Sequence, residues 1–202
     1  MPWIKIIPFD AATGRLKQLY TRIAGPGDNV DNIMLAHSLR PHTMEGHMAL
    51  YKAVLHHREN SVPKWLLELI GVWVSARNGC DYCLDHHFAG LKRLLRDEVR
   101  AVAIWDATQR GVLDDLPVGD KERAALVYAG ALNDLARQMG ETDIAALRQA
   151  GWSDAEILEI NQVTAYFAYA NRTVLGLGCS TRGDIIGLSP GNDDDPDDWG
   201  HH

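Results

Sequence analysis

The chain has 202 residues, of which 46% are hydrophobic and 23% charged, proportions typical of a globular protein. Its formal net charge is −7, but five aspartates between residues 193 and 198 supply most of that excess. Without them, 20 basic residues face 22 acidic ones, so the rest of the chain is close to neutral. No basic face is present to bind nucleic acid, and we expect no nucleic-acid partner.

Neither the N-terminal residues nor the most apolar stretch of the chain indicates a membrane protein. The first eight residues lack the apolar core of a signal peptide. The most apolar stretch, residues 65–76, contains Glu68 and is flanked by Lys64 and Arg77, so we do not expect it to span a bilayer. These observations predict a cytoplasmic protein, in which three cysteines do not build a disulfide framework. A Cys-x-x-Cys pair in that compartment is typical of redox catalysis or metal binding.

Apolar residues recur three to four positions apart through most of the chain, which is the period of an amphipathic helix. Glycine, proline and capping residues divide the pattern into predicted helices at residues 11–24, 31–39, 41–57, 63–78, 82–95, 97–108, 120–139, 142–150 and 153–175. No run shows sustained alternation of apolar and polar residues, so no strand is predicted. The sequence therefore predicts an all-α, single-domain bundle of eight to nine helices over residues 1–180, followed by an irregular acidic C-terminal tail over residues 181–202.

The fourth predicted helix is apolar on nearly every face, which predicts that it lies at the centre of the fold. Glu68 is the exception inside it. A buried carboxylate costs several kcal/mol unless it is hydrogen-bonded or neutral. We therefore expect Glu68 to have a functional partner.

Two cysteines, Cys80 and Cys83, stand one helical turn apart at the start of the fifth predicted helix. The unpaired N–H groups and the dipole of a helix N-terminus favour a thiolate, lowering its pKa below the free value of about 8.5. His87 follows Cys83 by four residues and shares its face of the helix, where an imidazole can accept or return a proton. His86 points about a quarter-turn away.

A dithiol of this kind suits peroxide reduction. One sulfur attacks the O–O bond and becomes a sulfenic acid, and the second sulfur condenses with it to a disulfide. An external dithiol then resets the pair by exchange, and a general acid protonates the departing alkoxide.

The order Glu68–x11–Cys80–x2–Cys83–x3–His87, together with residues 32–41 and 166–172, resembles the AhpD-like alkylhydroperoxidase family of the carboxymuconolactone decarboxylase superfamily. The closer likeness is to its peroxidase-related branch, over residues 28–180. The resemblance implies that Cys83 is the peroxidatic thiol, that Cys80 resolves it, and that Glu68 and His87 relay protons. It also implies an AhpD-like fold and a homo-oligomer, either a dimer, a trimer or a hexamer.

Tyr82 is a departure from that pattern, because the better-studied AhpD proteins have a histidine between the two cysteines. Either the Tyr82 hydroxyl passes a proton in its place, or His86 compensates. The expected function is a thiol-dependent peroxidase for hydrogen peroxide or alkyl hydroperoxides, with no cofactor and no metal. Its expected partners are a small peroxide and a lipoyl- or thioredoxin-like dithiol reductant protein.

Three other interpretations of the motif remain. A zinc site needs four ligands, and only Cys80, Cys83 and His87 are at hand. A carboxymuconolactone decarboxylase-like acid–base enzyme acting on a small cyclic carboxylate would not need the thiol pair. A non-catalytic redox-sensing protein would cycle its disulfide without turnover. The remaining chemistry-bearing groups are interpreted as structural or as bystanders, and the terminal histidines are left out of the site: His37, His42, His47, His56, His57, Asn171, Cys179, His201 and His202.

Overall fold

The computed structural model describes residues 2–190, 195 and 198–202. Within this part of the chain it contains nine α-helices and no strand, which confirms the predicted all-α class. The helices are α1 Gly14–Ile23, α2 Asn32–Ala36, α3 Pro41–Tyr51, α4 Lys64–Arg77, α5 Asp81–Leu95, α6 Glu98–Arg110, α7 Asp120–Asn133, α8 Glu141–Gln149 and α9 Asp154–Leu177. None of these helices has the length and apolar character needed to cross a membrane.

The central helix is α4, as its sequence predicts. Every residue from Leu66 to Ser75 is buried, including Glu68. The helix packs against α5, α7 and α9, which together enclose it. The site residues of α5 are therefore presented against the most deeply buried element of the fold.

Local sequence signals fix several helix ends. Asp97 caps α6 by accepting the Arg100 N–H at 3.0 Å. Ser153 and Glu156 form a capping box at the start of α9, in which the Glu156 carboxylate accepts the Ser153 N–H at 2.8 Å. Gly79 ends α4 in the left-handed region, with φ +65°, and so turns the chain into α5.

Two predicted helices, those at residues 120–139 and 31–39, run past their observed C-terminal ends. The predicted helix at residues 41–57 changes from α-helical to π-helical geometry after Tyr51. The helix α7 ends at Asn133 rather than at residue 139, because Asp134 is extended and its side chain accepts the Ala136 N–H at 3.0 Å. The helix α2 is confined to Asn32–Ala36, since the backbone must leave helical geometry at Arg40 before Pro41 begins α3. After α3, the segment Lys52–His56 continues as a π-helical turn.

The chain after α9 is irregular and folds back onto the body of the protein. Asn29 donates to the Gly183 carbonyl at 2.9 Å, and Arg93 of α5 donates to the Gly187 carbonyl at 2.6 Å. Residues 178–190, the C-terminal segment, therefore lie against α2 and α5. Most of the acidic run predicted as a tail, residues 191–198, lies outside the described residues.

Phe167 of α9 reaches the site because Gly71 of α4 leaves room for its ring. A Cβ on Gly71 would lie 2.1 Å from the Cζ of Phe167, which is fully buried. The same ring packs edge-on against His87, with centroids 4.6 Å apart. The packing of α4 and α9 thus helps to position a predicted site residue.

We expect Gly71→Ala to lower the free energy of unfolding by about 1–3 kcal/mol, because overpacking at this contact displaces Phe167. Urea unfolding measures the change. The matched control is Gly46→Ala in α3, where an added Cβ meets nothing within 4 Å. There the gain in helix propensity leaves stability equal or higher, by up to about 1 kcal/mol. Equal effects at the two positions would contradict the proposed close packing.

Candidate active site

The two cysteines of the motif begin α5 and are buried. Cys80 is the N-cap residue and Cys83 lies in the first turn, with 1% and 3% of their surfaces exposed. Both are free thiols. The helix start therefore presents its two sulfurs to the protein interior, one turn apart.

A hydrogen bond between the two side chains shifts their pKa values in opposite directions. The bond to Cys83 is the largest cause that lowers the pKa of Cys80, and burial opposes it only in part. The same bond, followed by burial, raises the pKa of Cys83 well above its ordinary value. This hydrogen bond therefore favours the thiolate at Cys80 and the protonated thiol at Cys83.

Asn171 of α9 contacts both sulfurs, although its sequence position suggested a structural role. Its side chain forms hydrogen bonds with Cys80 and Cys83 that lower the pKa of each thiol. The amide is held in place by Ser75, whose Oγ accepts at 3.0 Å, and by Asn78, whose Nδ2 donates at 2.8 Å. Asn171 thus supports the ionised form of the dithiol.

The structure brings Glu68 and His87 together across the α4–α5 interface. The Oε2 of Glu68 lies 2.7 Å from the Nδ1 of His87. Burial pushes the pKa of Glu68 up, but the charge of His87 and its hydrogen bond outweigh it, with smaller help from His56 and Arg93, so the net shift is downward. Glu68 is therefore an ionised carboxylate that holds the His87 ring.

A cavity of about 620 Å³, counted with its opening to solvent, joins these groups. Cys83, Glu68 and His87 face it, and so does Asp31 from the segment before α2. Much of the remaining wall is apolar or aromatic: Ile33, Met34, Met48, Tyr51, Tyr166, Ala170 and Leu188. A small organic molecule in this space would meet Cys83 and the Glu68–His87 pair together.

Cys80 faces a different cavity. It lines a shallower surface cavity together with Cys179, just after α9, and does not line the cavity of Cys83. Cys179, which the sequence suggested was a bystander, packs against the cluster that contains both motif cysteines. Burial raises its pKa to about 11, so this third thiol stays protonated at neutral pH.

Tyr82 points its hydroxyl to the C-terminal segment. The hydroxyl donates to Asp184 at 2.6 Å and accepts the Ile33 N–H at 3.2 Å. His86 stacks near the Tyr82 ring, with centroids 4.7 Å apart, and its Nε2 lies 3.5 Å from the Asp184 carboxylate. Tyr82 and His86 thus share Asp184, and the Tyr82 hydroxyl is already engaged in both directions. Asp184 lies in the predicted tail and belongs to none of the motifs in the sequence.

Several other histidines lie near the cavity but are neutral. Burial is the main cause that lowers the pKa of His47 and of His56 to about 3 in each case. His47 pairs with the Tyr166 hydroxyl at 3.3 Å, and His201 stacks on Tyr51 at 6.2 Å between ring centroids.

In the described part of the chain, no three His, Cys, Asp or Glu side chains are grouped to hold a metal ion.

The part of the chain that matches a known family contains the Cys80–Cys83 motif. Residues 41–113 match the model of the carboxymuconolactone decarboxylase family. A structure described as the AhpD core of an uncharacterized peroxidase-related protein from Ralstonia eutropha JMP134 superposes with a TM-score of 0.76, covering 92% of this chain and 97% of that one at 23% identity. The fold is therefore that of an AhpD-like structure, and residues 41–113 resemble the carboxymuconolactone decarboxylase family.

Two further solved structures extend the comparison. An uncharacterized peroxidase-related protein from Silicibacter sp. TM1040 has 25% identity and a TM-score of 0.65, over 75% of this chain and 76% of that one. The debrominase Bmp8, in complex with 2,3,4-tribromopyrrole, has 18% identity and a TM-score of 0.61, over 82% of each chain. A search of curated proteins finds no significant match. Proteins of this fold thus include ones described as peroxidase-related and one described as a debrominase.

We expect Cys83→Ala to raise the pKa of the Cys80 thiol, because the variant loses the side chain that hydrogen-bonds the thiolate. Thiolate absorbance at 240 nm, followed against pH in the reduced Cys179→Ser background, measures the shift. Cys83→Ser is the matched control, since its hydroxyl can still donate to the Cys80 sulfur. A Cys80 pKa that is the same in both variants would rule out the hydrogen bond as the cause.

Glu68→Gln tests the buried carboxylate through the pH dependence of stability. The lowered pKa of Glu68 stabilises the fold above its unfolded value of about 4.3, and this contribution is lost as pH falls through the folded value. We expect the variant to be less stable by about 2 kcal/mol at pH 7, with the difference shrinking below pH 4. Urea unfolding at several pH values measures it, with exposed Glu59→Gln as the control. A difference that does not vary with pH would contradict an ionised Glu68 carboxylate.

Proposed function

We propose that this AhpD-like protein is a thiol-dependent peroxidase that reduces hydrogen peroxide or alkyl hydroperoxides through a Cys80–Cys83 dithiol/disulfide cycle. One observation carries the proposal. Cys83 faces the same cavity as the Glu68–His87 pair. Cys80, which does not line that cavity, is hydrogen-bonded to Cys83. A nucleophile, a base and a resolving thiol therefore meet at one place.

The cycle begins when His87, held by ionised Glu68, takes the proton of Cys83. The Cys83 thiolate attacks the outer peroxide oxygen, forming a sulfenic acid and an alkoxide, which must gain a proton to leave as the alcohol. The Cys80 thiolate then attacks the sulfenic sulfur, and the departing hydroxide receives the proton stored on His87 and leaves as water. The net products are the disulfide, one alcohol and one water.

An external dithiol closes the cycle by thiol–disulfide exchange. Cys80 lines the surface cavity that it shares with Cys179, whereas Cys83 lines the cavity of Glu68 and His87. The reductant would therefore approach Cys80 while the peroxide approaches Cys83. A lipoyl- or thioredoxin-like protein in a reducing, cytoplasmic compartment fits this chemistry.

The proposal includes a homo-oligomer. The resemblance to AhpD-like proteins implies a dimer, trimer or hexamer, and the surface of α6 supports an interface. Val99 and Val102, 81% and 50% exposed, lie three residues apart and so share one face of that helix.

Two variants test the peroxidase. We expect Cys83→Ser to abolish peroxide consumption with any dithiol donor, since it removes the attacking sulfur. We expect Cys80→Ser to react once and accumulate a sulfenic acid at Cys83, because the resolving sulfur is gone. Peroxide assays, with dimedone trapping followed by mass spectrometry, read both outcomes.

Cys179→Ser is the matched control for the loss of a thiol and should keep its turnover. Normal turnover in both motif variants would sink the proposal. Decarboxylation of a small cyclic carboxylate that survives alkylation of the dithiol would favour the decarboxylase-like enzyme. A disulfide that forms with peroxide but never turns over with any dithiol would favour a redox sensor.

A further inference from the structure

A second carboxyl group, that of Asp31, faces the cavity lined by Cys83, Glu68 and His87, in which we propose that the peroxide binds. It is the residue before α2, and its backbone carbonyl accepts the N–H groups of Met34 and Leu35. Its side chain does not cap the helix. Across residues 2–190 and the few described beyond them, no hydrogen bond to the Asp31 carboxylate is present. This carboxyl is therefore available to a molecule bound in the cavity.

The groups around Asp31 favour its protonated form. Burial is the largest effect, the neighbouring charge of His86 from α5 opposes it, and the carboxylate of Asp184 from the C-terminal segment adds to it. Together they raise the pKa of Asp31 to about 6. The hydroxyls of Tyr51 and Tyr82 also lie within its electrostatic reach.

The proton balance of the proposed cycle needs such a group. Two oxygens leave during one turnover, first as an alkoxide and then as a hydroxide, and each requires a proton. The Glu68–His87 pair holds only the proton that it took from Cys83. Tyr82, at the position where the family has a histidine, has its hydroxyl bound to Asp184. A second proton donor at the cavity is therefore required.

We propose that Asp31 is the general acid of the peroxide reaction, donating its carboxyl proton to the inner peroxide oxygen as the O–O bond breaks. The inference rests on the proposed function. The Cys83 sulfur loses an electron pair to the outer oxygen, the O–O bonding pair stays with the inner oxygen, and that oxygen leaves as the alcohol with the Asp31 proton. Asp31 remains as a carboxylate until it regains a proton from solvent at the cavity mouth.

The opposite environments of the two carboxyls support this division. Glu68 is held ionised by its bond to His87, which suits the base that serves Cys83. Asp31 has no such partner and lies beside another carboxylate, which suits an acid. Two carboxyls whose surroundings shift their pKa values in opposite directions are the usual arrangement for paired acid–base roles.

Asp31→Asn tests the inference through the leaving group. Rapid mixing of the reduced protein with cumene hydroperoxide and with peracetic acid gives the rate of Cys83 oxidation by each. The alkoxide from cumene hydroperoxide needs a proton, whereas the acetate from peracetic acid does not. We expect the variant to react about 100-fold more slowly with cumene hydroperoxide and within twofold of the wild type with peracetic acid.

The pH profile is a second readout. Between pH 5 and 7, the ratio of the two wild-type rates, cumene hydroperoxide over peracetic acid, should fall as pH rises through about 6, where Asp31 loses its proton. In Asp31→Asn the ratio should not depend on pH. Alkylation of Cys83 by iodoacetamide should proceed equally in both proteins, since it needs the thiolate but no acid. Exposed Asp28→Asn, on the same segment, should behave as the wild type.

Three outcomes overturn the inference. Equal slowing with both oxidants means that Asp31 only maintains the structure, and no slowing with either means that it donates no proton. A wild-type protein that is alkylated at Cys83 yet reacts with neither oxidant overturns the peroxidase itself. The leaving-group dependence alone supports the assignment.

Discussion

The hydrogen bond between Glu68 and His87 is the constraint on which the rest of the site depends. A carboxylate in the middle of an apolar central helix is tolerable only with a partner, and α5 supplies it at 2.7 Å. That contact fixes which face of α5 is turned to α4, and so places Cys83 at the same cavity. Gly71 then admits Phe167 against the His87 ring, which extends the constraint to α9.

The dithiol is polarised both electronically and spatially. The hydrogen bond between the sulfurs lowers the pKa of Cys80, yet Cys83 is the one that faces the cavity lined by Glu68 and His87. Asn171 supports a thiolate at either position, so a proton can be withdrawn from Cys83 without leaving a bare buried charge. The two sulfurs thus line different cavities.

The same type of side chain acquires opposite properties at Glu68 and at Asp31. A directly bonded histidine lowers the pKa of the first carboxyl, whereas burial, with the nearby charge of Asp184, raises the pKa of the second to about 6. The C-terminal segment therefore shapes the surroundings of the cavity, because Asp184 also accepts from the Tyr82 hydroxyl and lies near His86.

The sequence by itself determined the features that local geometry controls. Helical periodicity, the caps at Asp97 and Ser153 and the one-turn spacing of Cys80 and Cys83 depend on neighbours along the chain, so they could be read directly. The anomalous Glu68 also indicated a partner. Only the tertiary structure could decide that Asp31, Asn171 and Asp184 join the site, because they are brought to it from distant segments and carry no local pattern. Their role follows from burial and proximity, which exist only once the helices have packed.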